Sequence, residues 1–269
     1  MDIAASRTRK TRFFSAITPA AIVTLWLLRC LLSLAVISRR YNTMHVRKFA
    51  GILALAEKHH GAGGVNARLA ELKGMIRSNL DQTDDRFLSG MTKAVFSSGF
   101  SWTVVDQKWP AFEAAFEGFD PHRVAFYADD DTIRLLKDTR IIRNGAKIAA
   151  TIANARFVVD TASKHGSFSA FLKQWPSSDQ VGLLDHLKKH AARLGGSSAM
   201  YFLRFTGWDA FVLSGDVTKA LIREGIIDKE PTSRVHLRAV QDAFNAWTKE
   251  SKRPQREVSR ILALSVGPS

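Results

Sequence analysis

The sequence predicts an all-α protein, and three observations carry that expectation. From residue 44 onward apolar side chains recur three and four positions apart, and they do not alternate at period two. Proline or acidic residues stand ahead of several apolar runs, as at Trp109-Pro110, Asp120-Pro121 and Asp129-Asp130-Asp131. Glycines, singly or paired, separate the runs, with no internal repeat and no long linker between them.

Composition bounds what such a fold does. With 269 residues, 46% of them hydrophobic, the chain is long enough to bury a sizeable core. A net charge of +14 points to a polyanionic partner, either nucleic acid or an anionic membrane surface. Residues 1–48 hold nine Lys/Arg against one acid, so the remainder is only moderately basic. Cys30 is the sole cysteine, which excludes an internal disulfide, a four-thiolate iron–sulfur cluster and a multi-cysteine zinc site.

Residues 1–43 stand apart from the rest as an N-terminal extension, leaving 44–269 as one all-α domain. The run 13–37 is long and apolar enough to span a bilayer, although Arg29 near its middle costs ~2.5–3.5 kcal/mol on insertion scales. It reads either as an anchor or as upstream sequence ahead of a natural start at Met44.

The helices follow in order. Phe49, Ile52, Leu53 and Ala56 share one face, and His59-His60-Gly61-Ala62-Gly63-Gly64 ends their helix; a second stretch covers 67–76. A polar loop at 78–85 leads to a helix over 91–99. Trp109-Pro110 opens the next, with Phe112, Phe116 and Phe119 for the core, and Asp120-Pro121 opens another. The acids at 129–131 read as a helix cap before Ile133, Leu135 and Leu136 rather than as a metal site.

Ile148, Ile152, Ala155 and Val159 form one face of a further helix. Leu183, Leu187, Ala191 and Leu194 form the buried side of another, whose outer side carries Lys188 and Lys189. His186 and His190 are one turn apart but lack a third ligand, so they read as part of that solvated face. Gly195 and Gly196 then turn the chain into a helix that Ser197 or Ser198 can cap. Such a hairpin exposes backbone N–H groups to which a phosphate can draw close. Asp216 opens a helix closing at Gly225, and stripes at Leu237, Val240, Phe244, Trp247 and at Val258, Ile261, Leu262 mark two more.

Several short motifs occur in a fixed order: Ser98-Gly99-Phe100-Ser101-Trp102, then Phe119-Asp120-Pro121, Ile141-Ile142-Arg143 with Lys147-Ile148, and Asn154-Ala155-Arg156. They are similar to the AGLSW, FDP, IIRxxxKI and NAR motifs of the 3-methyladenine DNA glycosylase I family, within the helix-hairpin-helix glycosylase superfamily. The resemblance covers about 87–160 well and extends more loosely to about 266, where LGGSS resembles the superfamily's hairpin. It implies two helical lobes with a base pocket between them.

The resemblance further implies a monofunctional DNA N-glycosylase that flips a base out of duplex DNA and hydrolyses its N-glycosidic bond. Alkylated bases such as 3-methyladenine are the implied substrates; for this sequence no cofactor and no metal are expected. The implied stacking residue is Trp102, with Phe100 and Phe96 as further pocket candidates, each equally readable as core. DNA affinity is expected from Gly195, Gly196, Ser197, Ser198, Arg143, Lys147, Lys188 and Lys189. A monomer associated with the nucleoid in the cytoplasm is expected.

This sequence also departs from the family pattern. Ala94 stands where the family has a pocket glutamate, and the family's Cys/His zinc site has no counterpart. Ser214 aligns with the superfamily's aspartate, which leaves Asp216 as the candidate catalytic carboxylate, also readable as a helix-start residue. A catalytically inactive relative that recognises damaged or distorted duplex is the competing expectation.

Overall fold

The computed structural model of the protein describes residues 47–75 and 80–267. The apolar run 13–37 lies outside the described residues; within them no helix is long and apolar enough to cross a membrane. The described residues form α-helices joined by turns and loops, without strands, so the all-α expectation holds.

Helix α1 (Phe49–Met75) breaks at a single point, Gly61, where φ is 68°. The two stretches expected on either side of the glycine-rich run are therefore arms of one element, hinged where only glycine adopts that backbone without strain. Helix α2 (Asp84–Ser97) starts ahead of the expected position, with Asp84 and Asp85 in its first turn complementing the positive end of the helix dipole.

Helix α3 (Trp102–Ala115) corrects an expectation. Pro110 sits inside it instead of opening it. Pro110 and Asp106 are both exposed, so the carbonyl that loses its partner to proline faces solvent. Trp109, Phe112, Phe116 and Phe119 then stack nearly parallel, the Trp109 and Phe119 planes 8° apart. That stack fixes the turn into α4 (Pro121–Val124), where the Asp120 carboxylate accepts from the backbone N–H groups of His122 and Arg123.

At the start of α5 (Asp129–Lys137), Asp131 reaches back to the Ala128 N–H at 3.2 Å, so the acidic run caps its helix as expected. Helix α6 (Gly145–His165) is capped by Asn144, whose side chain accepts from the Lys147 N–H. There follow α7 (Phe168–Gln174), α8 (Gln180–His190), α9 (Ser197–Phe205), α10 (Gly215–Arg223), α11 (Arg234–Ser251) and α12 (Gln255–Leu264).

Two apolar cores result. One gathers α2 through α9 around Phe87, Phe96, Phe112, Ile148 and Phe202. The other joins α1 to α10, α11 and α12 around Ile52, Phe211, Phe244, Trp247 and Ile261. The extended segment between α9 and α10 links them. Gln180 both donates to and accepts from the Phe211 backbone at 2.8 Å, and Ser259 does the same for Val212 at 3.1 Å. Those bonds satisfy a buried stretch that has no ladder of its own.

Candidate nucleic-acid interface and base pocket

Trp102 is the first residue of α3 and is half-buried. Its ring lies edge-on to Tyr201 (5.7 Å between centroids) and Phe205 (5.3 Å) on α9. Those two stand one helical turn apart and stack on each other at 5.8 Å. Helix α9 reaches this position because Gly90 on α2 lets it approach: a Cβ there would lie 3.3 Å from the Thr206 methyl and 3.6 Å from Phe202.

Behind Tyr201 and Phe205 lies a cavity of about 200 Å³, where the two cores meet. Val212, Ser214 and Val217 form one side of it, and Leu72 and Met75 from the end of α1 another. Ser259, Arg260 and Ala263 of α12 complete it, with Arg204 beside the aromatic pair. Tyr201, Phe205, Arg204 and Arg260 had no signal in the sequence that tied them to Trp102. A tyrosine and a phenylalanine four apart on a helix leaving a Gly-Gly turn was the one available clue.

The other pocket candidates separate. Phe96 is fully buried and packs edge-on against Phe112 at 4.7 Å, so it belongs to the core and presents no face to a ligand. Phe100 is 45% exposed, on the outside of the turn. Ala94 is buried within the first core, and among the described residues no Asp or Glu lines the cavity.

Lys147 is not the surface cation that was expected. It is 7% exposed, and its Nζ donates to the carbonyls of Phe96 (3.1 Å) and Ser98 (2.6 Å) at the end of α2. The ammonium also lies 4.7 Å from the Phe100 ring centre and 5.7 Å from that of Phe96. Burial, with the Arg193 charge adding to it, pushes its pKa below the ordinary lysine value.

The hairpin between α8 and α9 turns through two left-handed residues, Arg193 (φ 58°) and Gly196 (φ 56°). Gly196 itself occupies the N-cap position of α9. The expected caps are absent: neither Ser197 nor Ser198 bonds the helix start, so among the described residues its first N–H groups have no side-chain partner. Asn154 holds the turn from α6, accepting from the Ala192 N–H (2.7 Å) and donating to the Ala192 carbonyl (3.1 Å). Lys188, Lys189 and Arg193 are exposed around the turn, and the Lys188 Cγ lies 3.7 Å from where a Gly195 Cβ would stand. Arg143 is exposed ahead of α6.

Asp216 stands in the first turn of α10. Its carboxylate is half-exposed and pairs with Lys219 at 3.2 Å. Ser214, the aligned position, is the N-cap and accepts from the Val217 N–H at 3.3 Å. Its chain neighbours Ser214 and Val217 line the cavity, whereas Asp216 itself is not part of the lining.

Residues 80–202 match the family described as methyladenine glycosylase. DNA-3-methyladenine glycosylase 1 of Escherichia coli (strain K12) is 44% identical over 59 residues, 22% of this chain and 32% of its own length. The chain therefore spans about a third of the length of that curated relative. A crystal structure of 3-methyladenine DNA glycosylase I is 27% identical, with 47% of this chain and 80% of that one covered and a TM-score of 0.42. The enzyme from Staphylococcus aureus, solved for 3-methyladenine recognition, is 22% identical over 52% of this chain and 86% of its own, with a TM-score of 0.44. The family resemblance drawn from the short motifs is borne out.

Proposed function

We propose, on the premise that residues 80–202 are a methyladenine glycosylase segment, that this chain is a monofunctional DNA N-glycosylase. Alkylated bases such as 3-methyladenine, named in its relatives, are the substrates to which that premise points. The carrying observation is the half-buried Trp102 ring set against Tyr201 and Phe205, which themselves line an open cavity.

Duplex DNA is the partner. Its phosphates meet Lys188, Lys189, Arg143 and the N–H groups of Ser197 and Ser198 beyond Gly195 and Gly196. A base leaving the stack gains an aromatic face at the Trp102 cluster, worth ~1–3 kcal/mol per stacked base, which offsets part of the cost of flipping. The sugar stays at the rim, where the Asp216 carboxylate, released from Lys219, stabilises its developing positive charge. Water completes the hydrolysis. No cofactor is required by these steps.

The second reading, a DNA-binding relative without catalysis, draws on Ala94 and on the absence of any carboxylate from the cavity lining among the described residues. One assay separates the two. Single-turnover incubation with methylated duplex should release 3-methyladenine, and Trp102→Ala should slow release at least tenfold. Tight binding of that duplex with no base released from it or from other damaged duplexes establishes the silent relative instead.

A further inference from the structure

The polar groups that line the cavity are mainly hydrogen-bond donors. Arg204 is 8% exposed, and its Nε and Nη2 both donate to the Ala210 carbonyl, at 3.2 and 3.0 Å. It forms no ion pair with a carboxylate among the described residues. Burial pushes its pKa down to about 10, with Arg260 and Arg256 acting in the same direction. Arg260 is one-third exposed at its side chain, and its ion-pair partner, Glu71, is 3.9 Å away. Ser259 is taken up by the Val212 backbone. The Ser214 hydroxyl accepts from the Val217 N–H, and the rest of the lining is apolar or aromatic, which suits a flat ring better than a phosphate.

We propose that this cavity takes a base that is uncharged in DNA and carries carbonyl acceptors, of the deaminated class represented by uracil and hypoxanthine. The inference rests on the glycosylase reading and sets a carbonyl base ahead of the alkylated one as the preferred substrate. A ring already positive would lie against two guanidiniums with no acid in the lining to offset them. A neutral base is different, because it leaves as an anion. The C1′–N bond breaks with its electron pair going to the ring and onto the carbonyl oxygens, where guanidinium donors stabilise the growing charge. A water oxygen bonds to C1′ and loses a proton to solvent, and the departing base takes up a proton. The products are the free base and an abasic site.

The test is single-turnover base release from three duplexes, one carrying uracil, one hypoxanthine and one methylated to carry 3-methyladenine. Wild-type protein should release a carbonyl base at least tenfold faster than 3-methyladenine. Arg260→Met should lower carbonyl-base release at least tenfold and lower 3-methyladenine release by a much smaller factor. Arg204→Met is the companion, read only if its melting curve matches wild type, since Arg204 also braces Ala210; Arg260→Met carries the test alone if it does not. Release of 3-methyladenine without either carbonyl base overturns this inference and leaves the glycosylase reading standing. Equal loss on all three substrates in Arg260→Met overturns it too, and release from none of them overturns both readings.

Discussion

Lys147 Nζ and the Ser98 carbonyl, 2.6 Å apart, tie the start of α6 to the turn that delivers Trp102. The same ammonium takes the Phe96 carbonyl, so a cation closes the C-terminal end of α2 where the helix dipole is negative. Its task is to hold the aromatic turn in place.

Lys147→Met should therefore act on stability before it acts on DNA. It removes the partner of the buried Phe96 carbonyl, and the unfolding free energy should fall by about 1–3 kcal/mol in urea titration. Tryptophan fluorescence should change with it. Duplex affinity, measured below the unfolding transition, should fall less than in Lys188→Ala. An affinity loss equal to that of Lys188→Ala, with stability intact, would return Lys147 to the phosphate-binding face.

Asn154→Ala removes both bonds to Ala192 at once and leaves a half-buried N–H and carbonyl without partners. A loss of roughly 2–4 kcal/mol in stability is expected, from ~1–3 kcal/mol per orphaned group. The hairpin turn loosens with it, so duplex affinity should drop even where the protein remains folded. Hydrogen exchange at residues 191–197 is the direct measurement, and unchanged protection there would contradict the clamp.

How far these features could be read from the sequence follows from their range. Asp120 beside Pro121 and Asp131 behind Ala128 are caps, set by neighbours two or three residues away, and their roles were legible. Asn154 was legible only as part of a motif, because Ala192, the residue it holds, lies 38 positions on. Lys147 was misread because composition counts a cation without showing that its ammonium turns inward. Pro110 misled because proline tolerated on the solvent side of a helix looks the same in sequence as proline opening one. The Trp102, Tyr201 and Phe205 cluster depends on how closely α9 approaches α2, which Gly90 governs and no periodicity reveals.

Lys188 and Lys189 are exposed beside the hairpin, and Arg143 is exposed ahead of α6. Replacing any one of them by Ala should weaken binding across all duplex sequences alike. The slope of log affinity against log salt should become shallower by about 1 for each phosphate that the variant no longer neutralises. Binding isotherms at several salt concentrations measure that slope directly. A slope unchanged in the Lys188→Ala, Lys189→Ala double variant would remove this face from the interface.

Asp216 and Lys219 form an ion pair with both side chains largely in solvent, so the pair contributes little to stability, ~0.5 kcal/mol or less. Asp216→Asn is thus expected to keep the melting temperature within a degree or two. Base release should fall by about 10²-fold if the carboxylate stabilises the sugar's positive charge. Duplex affinity should stay within about twofold. A release rate equal to wild type would reduce Asp216 to a helix-start residue.

His186 gives the fold a dependence on pH that is separate from the site. Its ring lies 5.2 Å from Phe171, 5.6 Å from Trp175 and 4.5 Å from His190. Burial holds its pKa below the ordinary histidine value, and His190, His165 and Lys189 add repulsion of the same sign. In the unfolded chain the imidazole takes its proton near pH 6.5, whereas the folded ring resists it until the pH is lower. The unfolded state therefore binds more protons, and stability present above about pH 6.5 is lost as pH falls through that value. His186→Phe keeps the packing and removes the titration. Urea unfolding between about pH 7 and pH 5 should show a shallower decline in this variant than in wild type, and parallel declines would show that His186 is not its source.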